Sequence, residues 1–291
     1  MKFDIIGNRL WFFVISGLLV LISIIALASV GLKAGIEFSS GSILGVNFEE
    51  HVEYAEFRQE ITNLGYGNAI IQRTGQGEFL IRTQELTGEE KTYIETSLAD
   101  RFGKLSETQF YSVSPMVASE TARNAAIAVA VAMIGILLYV TFAFRHMPNP
   151  FRYGTCAIIA LLHDALVALG VFSILGAILD WQINLMFIIG VLAVIGYSIN
   201  NTIVIFDRIR ENTRLGVSPD FEVVVNNSLV ETLGRSLNTS ITTLITLLAL
   251  LLFVGATIQN FVVVLLIGIV AGTFDSICVA PSLLVVWNKR G

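Results

Sequence analysis

Six long apolar stretches, separated by shorter polar segments, set the plan of this chain. The first covers residues 10–30 and holds no charged side chain. A helix of that length crosses a hydrocarbon core of roughly 30 Å. A cleaved export signal would begin in the same way, and Ala26-Leu27-Ala28 resembles a cleavage site. Signal cores usually run only about 7–15 residues, which favours a retained span. The later stretches are residues 125–144, 155–179, 183–206, 239–253 and 261–287. The run at 239–253 is short, and its helix is expected to begin near Leu233. Together they predict a polytopic α-helical membrane protein with six transmembrane helices.

The one sizeable polar region, residues 34–122, has a different rhythm. Residues 41–48, 68–72, 78–83 and 109–113 read as strands. Val52, Phe57, Ile61 and Leu64 recur near helical spacing. Residues 87–102 open on a capping box, Thr87 with Glu90, and set Tyr93, Ile94, Leu98 and Phe102 on one face. The second and third strands join at Gly75-Gln76-Gly77. The order βαββαβ predicts a small α+β domain of the split βαβ, ferredoxin-like kind. The division expected is therefore 1–33 (N-terminus and first span), 34–122 (polar domain) and 123–291 (five further spans). Within the last part, 207–235 forms a cytoplasmic segment whose residues 221–233 read as an amphipathic surface helix.

Composition agrees with this plan. The chain is 54% hydrophobic and only 14% charged, against about 25% charged in soluble domains. Residues 34–122 hold fourteen acidic and six basic residues, a net of −8, so the rest carries +3 of the total −5. That acidity argues against a nucleic-acid partner and suits a solvated domain. Cys156 and Cys278 both lie in apolar runs and give no redox reading. Zinc spacings and phosphate-binding glycine loops are absent from the sequence, so no metal or cofactor is expected. Lys2 and Arg9, Arg145 and Arg152, Arg208, Arg210 and Arg214, and Lys289 and Arg290 all fall on one side of the spans. The opposite short loops, 180–182 and 255–260, have no Lys or Arg. This bias puts both termini in the cytoplasm and residues 34–122 outside, which in a bacterium is the periplasm or cell exterior.

Candidate chemistry lies inside the spans. Tyr197, Ser198, Asn200, Asn201 and Thr202 follow Gly196 in an apolar helix that exits through Asp207 and Arg208. Polar groups are costly in lipid unless they find partners, so this stretch marks a bundle interior. Asp164 lies near mid-depth in the third span, as a functional carboxylate or a helix-packing hydrogen bond. Its neighbour His163 is expected to point about 100° away, so that the two do not face each other. Arg235 leads a face with Asn238/Thr239, Thr242 and Thr246, either snorkelling to the interface or pairing with a carboxylate inside the bundle. Gly268, Gly272, Ser276 and Ala280 form a small-residue ridge in the sixth span, with Asp275 deep beside it. His51, with no second ligand nearby in sequence, reads as a solvated loop residue.

Several motifs resemble those of the SecF family, the smaller membrane subunits of SecDF protein-export complexes in the RND superfamily. They include Phe3-Asp4…Arg9, the run Gly35-Ile-Glu-Phe-Ser-Ser-Gly-Ser42, Ser112-Val-Ser-Pro115 and Leu162-His-Asp164. Gly196-Tyr-Ser-Ile-Asn200 with Asp207-Arg-Ile-Arg-Glu-Asn212, and residues 228–239, add to the likeness. The resemblance implies six spans of RND/SecF type, an outward domain, and an obligate SecD partner. It also implies work beside the SecYEG channel on a translocating unfolded polypeptide, driven by the proton gradient, with YidC and YajC as further partners and lipid all around. In that family a carboxylate of the fourth span carries the proton and an arginine of the fifth is its partner. Here Asn201 stands at the carboxylate position, and an amide does not titrate. The arginine matches as Arg235, and Asp275 is a further departure. Two expectations follow: the carboxylate has moved to Asp275 with Arg235 as counter-ion, or this subunit leaves proton coupling to SecD. An RND-type small-molecule or lipid transporter half shares the architecture. An intramembrane aspartyl protease would need two facing carboxylates and a Gly-x-Gly-Asp signature, which the chain lacks, so no enzyme is expected.

Overall fold

A computed structural model describes residues 4–73, 77–253 and 256–289. Phe3, Lys2, Arg290, most of the Gly75–Gly77 turn and part of the 255–260 loop lie outside the described residues. The elements in chain order are α1 (Arg9–Ser29), α2 (Ile36–Ser39), β1 (Gly41–Phe48), α3 (Tyr54–Asn63), β2 (Ile70–Arg73), β3 (Phe79–Thr83) and α4 (Gly88–Phe102). They continue with β4 (Leu105–Val113), α5 (Pro115–Ala143), α6 (Pro150–Leu179), α7 (Leu185–Arg214), α8 (Phe221–Phe253), α9 (Ala256–Cys278) and α10 (Ala280–Lys289). The chain divides into two compact units, Ala34–Ala126 and the remainder.

In the smaller unit the strands form one sheet in the order β2-β3-β1-β4, with every neighbouring pair antiparallel. Leu44 on the central β1 sits opposite Ile81 on one side and Phe110 on the other. Leu44, Val46, Phe79 and Ile81 meet Phe57 and Ile61 from α3 and Ile94 and Leu98 from α4 in a closed core. The period-2 and period-3.6 patterns thus bury the faces they mark. Strand β4 begins four residues earlier than the alternation suggests, because Leu105 and Ser106 still pair with Phe48 and Asn47. The capping box forms as written, Thr87 accepting from Glu90 N–H and Glu90 from Thr87 N–H. Gly41 is required: its φ is +123°, and a Cβ there would stand 2.6 Å from the Thr83 carbonyl oxygen.

Among the described residues six helical segments are long and apolar enough to cross a membrane: α1, α5, α6, α7, α8 and the stretch through α9 and α10. Half of the apolar stretch of α6 and of α7 is buried and 61% of that through α9 and α10, whereas only 6% of the apolar stretch of α5 is. The interior therefore lies among α6, α7 and α9.

Two expectations change. Residues 221–233 are not a separate surface helix. Phe221–Phe253 is one continuous helix of 33 residues, since no proline interrupts the backbone ladder and Gly234 sits in open space. The sixth span is broken at Val279. Val279 N–H still reaches the Asp275 carbonyl, but Pro281 has no N–H to offer the carbonyl of Ile277, so the ladder lapses there.

Glycines set the helix spacing. A Cβ on Gly190 would collide with Val264, and one on Gly268 with Val194. One on Gly272 would lie 2.7 Å from Ser198 Oγ. Helices α7 and α9 therefore approach at all three levels, which side-chain packing in lipid rewards.

Candidate functional site

That close approach frames a buried cluster of ionisable groups. Asp164 on α6 and Asp275 on α9 are both fully buried, and His163 is 7% exposed. The Ser198 hydroxyl of α7 donates to Asp164 Oδ2 at 2.5 Å. His163 Nδ1 lies 3.3 Å from Asp164 Oδ1 and 3.8 Å from Asp275 Oδ1. Among the described residues, neither oxygen of Asp275, nor His163 Nε2, has a hydrogen-bond partner. Three helices thus converge on one imidazole between two carboxylates.

The expectation that His163 points away from Asp164 is overturned. Consecutive Cβ atoms do diverge by about 100° on a helix. A ring and a carboxylate are long enough to bend back toward the same gap, where the imidazole finds an acid on either side. Helical spacing within one span cannot reveal a partner supplied by another. Two carboxylates here cannot both be ionised cheaply, because burial strips their water and their like charges repel.

His163, Asp164 and Asp275 bring donor atoms within 4.8 Å of one another, which in donor type could surround a cation. A ligating histidine almost always has its second ring nitrogen held by an acceptor. Among the described residues Nε2 has none, so the support that holds a ligating histidine in place is missing from this trio.

Asn201 belongs to a second, neutral network. Its Nδ2 donates to Ser240 Oγ of α8 at 3.4 Å, and Thr273 Oγ1 of α9 lies 2.7 Å from the same oxygen. Tyr197 donates its hydroxyl to Thr243 at 3.3 Å. No described hydrogen bond joins Asn201 to Asp164, Asp275 or Arg235.

Arg235 is not brought to Asp275. It is exposed and lines a cleft of about 470 Å³ with Asp207, Arg208, Glu211, Glu231 and Thr232. Among the described residues it has no ion pair; the basic side chain facing Asp275 is the imidazole of His163. The reason is helical phase. The buried face of α8 runs through Ser228, Thr232, Ser236 and Ser240, while Thr239, Thr242 and Thr246 are exposed and donate to their own helix carbonyls. Arg208 instead bridges Glu231 at 2.5 Å and Glu211 at 2.6 Å, and Asp207 pairs with Arg210. Asn200 and Gly196 are exposed, and a Cβ on Gly196 would meet nothing within 4 Å, so it is not a packing glycine here. Gly268 and Gly272 are. Ser240 and Thr273, which hold position 201, escaped sequence reasoning because hydroxyl residues are common in membrane helices and nothing marks the ones that meet.

Comparison with known proteins places this geometry. The family "Protein export membrane protein SecD/SecF, C-terminal" matches residues 93–290. The protein translocase subunit SecF of Thermobaculum terrenum is 43% identical over 99% of this chain and 94% of that protein. SecF of Anaerolinea thermophila is 38% identical over 98% of this chain and 94% of its own length. The crystal structure of SecDF, a translocon-associated membrane protein from Thermus thermophilus, superposes with a TM-score of 0.86 at 32% identity. It is matched over 100% of this chain but only 39% of the longer SecDF chain. The chain is therefore a multi-pass membrane protein that belongs to the SecF family of protein translocase subunits.

Proposed function

We propose that this subunit pairs with a SecD-type partner and that the pair uses the proton gradient to help draw exported, unfolded polypeptides through a SecYEG channel. On this reading both termini are cytoplasmic and residues 34–122 face outward as a ferredoxin-like domain. The strand order β2-β3-β1-β4 supports that fold, and the Lys/Arg bias of the short loops supports the orientation. SecYEG, YidC and YajC enter through the family resemblance alone.

One observation carries the proton reading: a buried carboxylate, Asp275, with neither oxygen hydrogen-bonded, facing an imidazole and a second acid. Intramembrane acids placed like this are costly and belong to ion paths. Asp275 takes the role that Asn201 cannot. Replacing Asp275 by Asn in the complex with SecD is expected to abolish the gradient-dependent part of secretion; secretion that keeps its full dependence on the gradient would reject the assignment.

The amide at position 201 supports a second reading, in which this subunit braces SecD and has no proton site of its own. Asn201→Asp distinguishes the two. If position 201 is a lost site, the new acid alters the pH dependence of secretion. If coupling runs through Asp275, it adds only a poorly solvated acid beside Ser240 and lowers stability.

A further inference from the structure

The family pattern supplies a fixed positive charge, an arginine, beside its proton-carrying acid. In this chain the arginine at the matching position lines a different cleft, and an imidazole stands between the acids. The two side chains differ in one decisive respect. Arginine keeps its proton throughout, whereas histidine gains and loses one within the physiological range.

Charge counting then limits what the cluster can hold. Asp164, Asp275 and His163 are at most 7% exposed, so net charge among them is expensive. The ionisable groups facing the imidazole are Asp164 from its own helix and Asp275 from α9. Cys278 lies one turn beyond Asp275 on the same helix. Helix α7 contributes the neutral Ser198 hydroxyl. Helix α1, which packs on α6 and α9, has no charged residue after Arg9, and α8 meets α9 through the Ser240 hydroxyl and apolar side chains such as Leu247. Neutrality is reached only with two protons shared among the three sites. They rest either on both acids, or on one acid and the imidazole.

We infer that His163 is the mobile counter-charge of this site, accepting the proton that Asp275 gives up and returning it. The inference rests on the proposed role of Asp275. In the step, the O–H bond of Asp275 breaks and an N–H bond forms at His163 Nδ1. A neutral acid and neutral imidazole become a carboxylate and an imidazolium, with no change in net charge. The atoms already stand 3.8 Å apart, so a small approach of α9 to α6 closes the transfer distance. Asp164 then steadies the imidazolium from 3.3 Å, and Ser198 holds Asp164 in place. A fixed guanidinium in that position would bind its carboxylate without ever releasing it.

The test uses the chain in complex with its SecD partner and reads gradient-driven secretion across a pH series, with co-purification of the partner as the check on assembly. His163→Gln and His163→Arg are both expected to assemble and to lose the gradient-driven part. Whatever stimulation His163→Gln retains is expected to show a displaced pH profile. If Asp275→Asn abolishes coupling while His163→Gln keeps both its magnitude and its profile, the inference fails and the proposed function stands. If Asp275→Asn changes nothing, the proposed function fails, and the inference with it. Should His163→Gln not assemble, the sequence offers another route, because it has only three histidines. With His51→Gln and His146→Gln and ¹⁵N-histidine introduced into this subunit alone, His163 is the sole source of labelled imidazole nitrogen resonances in spectra of the membrane-embedded complex. Asp275→Asn is expected to move the pH at which those resonances shift; an unmoved titration overturns the inference.

Discussion

A methyl group added at Gly272 would stand 2.7 Å from Ser198 Oγ and 3.1 Å from Asp164 Oδ2. Ser198 cannot swing clear without giving up its hydrogen bond to Asp164. Gly272→Ala is therefore expected to destabilise the chain by about 1–3 kcal/mol, as overpacked cores do, and to weaken gradient-dependent secretion. Gly196→Ala, facing open space, should do neither. Thermal unfolding of the two variants in detergent is the comparison. The small-residue ridge was legible from spacing alone, but spacing could not tell which glycine touches the acids. The same limit hid His163. Its chemistry was visible in Leu162-His-Asp164, while its partner lies more than a hundred residues later and is joined to it only by the fold.

Among the elements, the capping box of α4 makes a claim about pH. Glu90 is held below the ordinary carboxylate range, first by the Thr87 backbone N–H and then by the Thr87 hydroxyl. A carboxyl lowered in the folded state stabilises it above the unfolded value and loses that effect as pH falls through the folded one. The first-turn amides of α4 should exchange faster in Glu90→Gln than in the parent at neutral pH. That difference should fade below the usual carboxylate range; a constant difference would speak against the cap. A second claim concerns the start of the chain. Asn226 Oδ1 on α8 accepts from the backbone N–H groups of Ile5 and Ile6 at 2.9 and 3.2 Å, and Arg9 pairs with Glu222. Asn226→Ala strands both amides beside the buried Ile6, and a cost of about 1–3 kcal/mol is expected in chemical denaturation. Strands and helices of the small unit were readable because each pattern has one period and one buried face. The unbroken length of α8 was not, because its polarity changes midway while its backbone does not.

At the scale of the whole molecule, the chain corresponds to 39% of a SecDF chain. A transport path built from two related halves needs both. Reconstituted alone, this subunit is expected to give no gradient-driven stimulation of secretion, and to give it only when a SecD-type partner is added. Stimulation by the isolated subunit would refute the shared-path reading.

The three contacts between α7 and α9 take their bulk from both helices, once from α9 and twice from α7. Val264 fills the gap at Gly190, Val194 fills the gap at Gly268, and Ser198 fills the gap at Gly272. Such a seam is keyed like a lock with one depth of insertion. Sliding α9 by a single turn in one direction drives Val264 into Val194; in the other it sets Gly190 against Gly268 and opens a void. Either slip forfeits packing that nothing in lipid repays, so the two helices travel as one rigid blade. Asp275 and Ser198 ride on that blade, while His163 and Asp164 ride on α6. On the proposed function, movement of that blade against α6 changes the Asp275–His163 distance and the Ser198–Asp164 hydrogen bond together, so the proton step and the mechanical step fall in the same gap.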